Sequence, residues 1–122
     1  MTKFSIWVAD SGTYLICEVI GESDEKDSMA ILSAMAEQSR ENQLYKMLVD
    51  VRKAKNVTSP FKSYDLAYNE LKKLGFKLTL AGLISPSDTS HDFMHTVLQN
   101  AGYYVKLFHE EADALSWLEQ TA

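Results

Sequence analysis

The sequence predicts an α/β protein built on a mostly parallel five-stranded sheet, and three observations carry that prediction. Met47-Leu48-Val49 is a short unbroken apolar run, the pattern of a strand covered on both faces by helices. Runs of this kind alternate along the chain with segments whose apolar residues recur every three or four positions, as on a buried helix face. At the start, Asp10-Ser11-Gly12-Thr13 separates two strand-like stretches, which reads as a hairpin and makes the first strand antiparallel to the second.

Residues 4–8 partly alternate, which suits an edge strand with one wetter face, and residues 14–20 resume strand composition after the turn. Cys17 lies inside that second strand with no Cys-His spacing beside it, so it reads as a small buried hydrophobe rather than a nucleophile. Gly21-Glu22-Ser23-Asp24 ends the strand and caps a helix reaching to about Arg40, with Ile31, Leu32, Met35 and Ala36 as its buried stripe. A central parallel strand follows, closed by Asp50 and Val51. A basic loop over residues 52–57 then leads to Thr58 and Ser59, hydroxyls suited to an N-cap, and Pro60 fits the first helical turn. In the second helix Phe61, Tyr64, Ala67, Tyr68, Leu71 and Leu74 form one aromatic-rich stripe, and Gly75 stands where a terminating glycine belongs. Residues 78–84 form the next buried strand. Thr89 and Asp92 then resemble a capping box for a third helix, whose core face is Phe93, Met94, Val97, Leu98 and Ala101. Residues 103–108 make the last strand and residues 110–119 the last helix, with Ala114, Leu115 and Leu118 buried. The predicted order is β-β-α-β-α-β-α-β-α.

The 122 residues fit one domain spanning positions 1–122. Twelve basic against seventeen acidic residues give a net charge of −5, which argues against nucleic acid as a partner. With one cysteine, no charged-then-apolar leader and no apolar run of ~18 residues, a cytoplasmic protein without an integral membrane segment is expected.

In a sheet of this kind the strand-to-helix loops meet along one edge, where ligands bind. The loops expected there contribute Ser23, Arg52, Lys53, Lys55, Thr58, Ser59, Ser85, Ser87 and His109. Neither GxGxxG nor GxxxxGK[ST] occurs, so no nucleotide or other cofactor is called for. Arg52, Lys53 and Lys55 are the one dense basic cluster in an acidic chain and suit an anion, unless they are simply solvated loop cations. His91 and His95 lie four residues apart beside Asp92, but 100° per residue places both at or beyond the edge of the apolar face, in water, and no metal site is expected. His109 has no nucleophile beside it. No paired acid and base stands at a recognisable spacing, so an enzyme is not expected.

Two stretches carry a family resemblance that covers nearly the whole chain. One is Lys46-Met47-Leu48-Val49-Asp50-Val51; the other is the ending Val105-Lys106-Leu107-Phe108-His109-Glu110-Glu111-Ala112-Asp113-Ala114-Leu115-Ser116-Trp117-Leu118. The sequence resembles the SpoIIAA-like, or STAS, family of anti-sigma-factor antagonists. Within it, the chain is most similar to a bacterial branch of small cytosolic proteins related to both STAS and CRAL-TRIO lipid-binding domains. The resemblance implies a SpoIIAA-like fold, a regulatory role, and a partner protein that phosphorylates a serine at a helix N-terminus. The matching stretch here reads Val57-Thr58-Ser59-Pro60-Phe61, without the family's Asp and Gly and with proline in place of a serine. Thr58 and Ser59 are thus the candidate phosphorylation positions.

Two functions remain open on these residues. One is a regulatory or interaction module that docks a partner protein through residues 52–60 and the following helix, with a homo-oligomer as one form of assembly. The other is a small carrier or sensor of an apolar, acidic-headed, lipid-like ligand enclosed between sheet and helices. Arg52, Lys53 or Lys55 would then hold its head, and Phe61, Tyr64 and Tyr68 its tail.

Overall fold

The structure, a computed structural model, describes residues 2–121. β1 (Lys3–Val8) and β2 (Leu15–Ser23) form the hairpin, followed by α1 (Glu25–Asn42) and β3 (Lys46–Asn56). A continuous helical run then comprises α2 (Pro60–Asp65), a π-helical turn (Leu66–Glu70) and α3 (Leu71–Leu74). β4 (Thr79–Leu83), α4 (Asp92–Asn100), β5 (Val105–Phe108) and α5 (Glu111–Gln120) complete the chain. The five strands lie in sequence order, with β1 antiparallel to β2 and the other pairs parallel, so β3 is central as its apolar run requires.

Strands taken in sequence order step the same way each time, so right-handed crossovers put every intervening helix on one face. That face is the main core: Leu15, Cys17, Val19, Met47, Val49 and Leu80 meet Ile31, Met35, Leu66, Leu71, Val97 and Leu98. The opposite face is covered by α5, whose Ala114 and Leu118 pack on Leu48, Ala81 and Leu83. Cys17 is fully buried, and burial pushes its thiol up to about 12, which suits the hydrophobe its strand position implies. In β4, a Cβ built on Gly82 would stand 2.7 Å from a Leu107 methyl, so the glycine makes room for its neighbour on β5.

Local signals explain most of the boundaries. Asp24 accepts from the Asp27 amide at 2.9 Å while Asp27 accepts from the Asp24 amide at 3.1 Å, a reciprocal cap that starts α1. Ser59 caps α2 with Pro60 in the first turn, and Gly75 ends the helical run in the left-handed region at φ 63°.

Four expectations are corrected. Residues 52–56 are strand, not loop, because Ile20 to Ser23 of β2 keep pairing with Lys53 to Asn56. The stripe of the second helix is two faces: Ser63, Leu66, Ala67 and Leu71 are buried, whereas Phe61, Tyr64 and Tyr68 point to solvent. No Thr89 capping box forms. Asp88 accepts from the Ser90 amide instead, and α4 starts with no side-chain cap. Phe93 is not core, since the residue is 44% exposed.

Candidate functional site

β4 pairs with β3 only as far as Asp50, while β2 pairs with it through Asn56, so β2 and β3 project past the sheet as a two-stranded ribbon. The ribbon begins at a bulge. Glu18 faces Asp50 and Ile20 faces Lys53, which sets Val51 and Arg52 together against the single residue Val19. The bulge lets Arg52 fold back on Asp50: its amide and Nε donate to Oδ1 at 3.1 and 3.0 Å, and Nη2 donates to Oδ2 at 2.8 Å. Partial burial pushes the Asp50 carboxyl up, but the Arg52 hydrogen bonds and the charges of Arg52 and Lys53 outweigh it and hold the carboxyl below its ordinary range.

This pairing has a pH signature. A carboxylate depressed in the folded state stabilises above the unfolded value of about 4 and loses that contribution as pH falls through its folded value. Asp50→Asn is expected to cost about 1 kcal/mol at pH 7, a modest figure because Arg52 is half exposed and screened. Urea unfolding of both proteins at pH 7 and at steps through the acid range checks this, with the gap narrowing as pH falls below about 4; a gap that stays constant throughout would assign the loss to packing.

Of the three expected cations, then, Arg52 already has its anion. Lys53 and Lys55 flank the buried Ala54, and strand alternation directs both to the opposite side of the sheet from the main core, past the residues on which α5 packs. The segment after β4 closes the ribbon's other side. The Ser85 hydroxyl donates to the Arg52 carbonyl at 3.1 Å, the Asn56 amide donates to Ser90 Oγ at 3.1 Å, and His91 Nε2 lies 3.2 Å from the Ala54 carbonyl and 3.5 Å from Asp88. His91 is therefore tucked against β3 rather than in water, with its side chain 13% exposed. His95 also departs from expectation, since its Nε2 is buried without a hydrogen-bond partner. Ser87 and His109 are exposed. Among the described residues no three His, Cys, Asp or Glu side chains gather as a metal site would need.

Thr58 and Ser59 divide their work. The Thr58 hydroxyl bonds Ser28 of α1 at 3.0 Å and its amide donates to Asn56 Oδ1 at 2.9 Å, which ties the chain between β3 and α2 to its neighbours. Ser59 is exposed, and its Oγ accepts from the Lys62 amide at 3.3 Å.

Beyond Ser59 stands an aromatic ridge. Phe61, Tyr64 and Tyr68 are 76, 50 and 37% exposed, and Phe93 of α4 adjoins them. Tyr64 and Tyr68 stack with centroids 6.0 Å apart, and Phe93 meets Tyr64 edge to face at 5.8 Å. Tyr68 belongs to the π-helical turn, a rare geometry that recurs at functional sites. The sequence reading did not single out Phe93 as a surface residue, nor Asp65 and Asn69, which line a shallow notch of about 190 Å³ with Phe61, Tyr64 and Tyr68.

The enclosed-ligand arrangement is not what these positions form. The aromatic rings face outward and Arg52 is paired. The cavity between sheet and helices, lined by Val19, Ile31, Leu32, Met35, Val51 and Met94 among others, holds about 120 Å³. Pockets for drug-sized ligands run to about 300–1,000 Å³. A larger open groove of about 520 Å³ lies along α5 near the hairpin turn, lined by Tyr14, Lys46, Leu115, Leu118 and Glu119, where Lys46 Nζ donates to the Leu118 carbonyl at 2.6 Å.

No protein-family model matches the chain, and no curated protein sequence matches it. Solved structures do. An uncharacterised DUF3478-family protein with a SpoIIAA-like fold from Shewanella loihica PV-4 superposes with a TM-score of 0.61 at 16% identity, over 96% of this chain and 93% of that one. The anti-sigma factor antagonist SpoIIAA in its unphosphorylated form superposes with a TM-score of 0.57 at 14% identity, over 98% of this chain and all of that one. The chain has the SpoIIAA-like fold that the resemblance implies. No helix among the described residues is long and apolar enough to cross a membrane.

Proposed function

We propose that this chain is a non-catalytic, STAS-type interaction module that docks a partner protein on the ridge of Phe61, Tyr64, Tyr68 and Phe93. One observation carries the reading: Tyr64 packs on both Tyr68 and Phe93, Phe61 shares a notch with the two tyrosines, and all four side chains remain open to solvent. Scattered exposed apolar residues are ordinary, but a contiguous aromatic patch is the mark of an interaction surface, and tyrosine is among the residues that dominate binding energy. The ridge begins two residues after Ser59, the exposed hydroxyl at the start of the helical run. A phosphate there would add about −2 of charge beside Phe61, making Ser59 a position from which docking could be switched. The SpoIIAA neighbour, named as an antagonist of an anti-sigma factor, is a protein that acts on another protein.

The non-catalytic part rests on the hydroxyls themselves. Thr58, Ser59 and Ser85 bond a neighbouring hydroxyl, a backbone amide and a backbone carbonyl, not a histidine or carboxylate base. A cytoplasmic setting belongs to the same reading. Lys53 and Lys55, on the other side of the sheet, lie outside this docking surface.

Site-specific photocrosslinking tests it. A benzoylphenylalanine in place of Phe61 or Tyr68 should give an adduct of one discrete mass in cells. The same group in place of Tyr104, 69% exposed at the other end of the sheet, should give none. Identical adducts at all three positions, or none at 61 and 68, would count against the ridge.

A further inference from the structure

We infer that the partner segment seated on this ridge presents an arginine, whose guanidinium enters the notch between the tyrosine faces and the Asp65 carboxylate. The inference rests on the docking role proposed above and names the partner's chemistry. The notch of about 190 Å³ is lined by three aromatic rings, one carboxylate and one amide, from Phe61, Tyr64, Tyr68, Asp65 and Asn69. Aromatic faces are negative and attract cations, most strongly where water is displaced.

The charge of Asp65 decides between occupants. Its Oδ1 accepts from Asn69 Nδ2 at 2.9 Å, and among the described residues no Lys or Arg nitrogen lies within 4.0 Å of it. Glu70, one turn further on, already has Lys73 at 3.3 Å. Asp65 also sits mid-run, away from the helix N-terminus that would favour its charge. A partner covering the ridge with apolar groups alone would strip water from this carboxylate and offer nothing in return. An acidic group in the notch would be set against the Asp65 carboxylate, because Lys26 and Lys62 line a separate groove that Asp65 also borders. Arginine fits better than lysine because a planar guanidinium stacks on a ring while its edge donates to a carboxylate. In a chain of net charge −5, a basic partner also gains from long-range attraction.

The test is an NMR titration of the ¹⁵N-labelled full chain at low salt with N-acetylarginine amide, and with the citrulline analogue, its neutral isostere. Arginine amide should shift amides of residues 61–69 and Phe93, and citrulline amide should not. Asp65→Asn should weaken the response about two- to fivefold, the range for one exposed charge contact. Tyr64→Ala with Tyr68→Ala should abolish it. Equal shifts from citrulline amide, or shifts spread over the acidic start of α5 as well, would overturn the arginine assignment. The two readings fail separately: crosslinking at 61 and 68 without an arginine response leaves docking standing and removes the cation, whereas loss of crosslinking removes both.

Discussion

Leu71→Ala is expected to lower stability by about 2–5 kcal/mol, read as a fall in the urea midpoint at unchanged slope. Leu71 is fully buried at the first position of α3, in the core formed by α1, the sheet and the helical run. Its removal costs the transfer energy of the lost carbons plus a cavity, because the central strands beneath cannot collapse to fill it. Tyr68→Ala, three residues earlier, should cost less than about 0.5 kcal/mol, because its ring stands outside that core. A comparable loss from both would mean that the ridge is structural and would undercut its role as a docking surface.

That contrast also shows where the sequence was legible and where it was not. The central strand could be read because Met47, Leu48 and Val49 are buried on both faces, which leaves an unbroken run. The α2 cap and Gly75 could be read because backbone geometry allows few other residues there. The helix between them misled, since spacings of three and four describe two different stripes. Phe61, Tyr64 and Tyr68 share one, while Ser63, Leu66, Ala67 and Leu71 share the other, and the more aromatic stripe is the wet one. A π-helical turn at residues 66–70 further offsets the faces by an amount that a period of 3.6 does not describe.

The ribbon was hidden for a different reason. Three cations in residues 52–55 look like loop, and the bulge at Val51 and Arg52 breaks the alternation that would reveal a strand. Arg52 could not be assigned to Asp50 from spacing alone, because two residues apart on a regular strand merely share a face; the bulge lets the amide and guanidinium converge on one carboxylate. The histidines fail likewise. A helical wheel places His91 and His95 outside the face of α4, but the wheel knows nothing of residues 85–90, which bring His91 against the Ala54 carbonyl. Function is affected directly: a basic loop and an aromatic core stripe imply an enclosed anionic ligand, whereas a paired arginine and an exposed ridge imply a surface.

Replacing Tyr64 and Tyr68 together with alanine should then weaken the partner captured through position 61 by about 2–4 kcal/mol, roughly 30- to 1,000-fold in Kd, the range for central aromatic anchors. The effect should exceed the sum of the single substitutions' stability costs, because these rings stack on one another and take little part in the core. It should also exceed the effect of Lys53→Ala with Lys55→Ala, whose side chains lie on the other side of the sheet and should leave Kd within about twofold. Calorimetry with the purified partner, alongside urea unfolding of each variant, separates binding from folding. Ser59→Glu adds a directional check. It sets a carboxylate at the start of the ridge, which a basic partner should tolerate or favour, with binding unchanged or tightened and the tightening lost in high salt. If Tyr64→Ala with Tyr68→Ala leaves Kd unchanged while the lysine pair abolishes binding, the partner sits on the ribbon's other face and the ridge is not the docking surface.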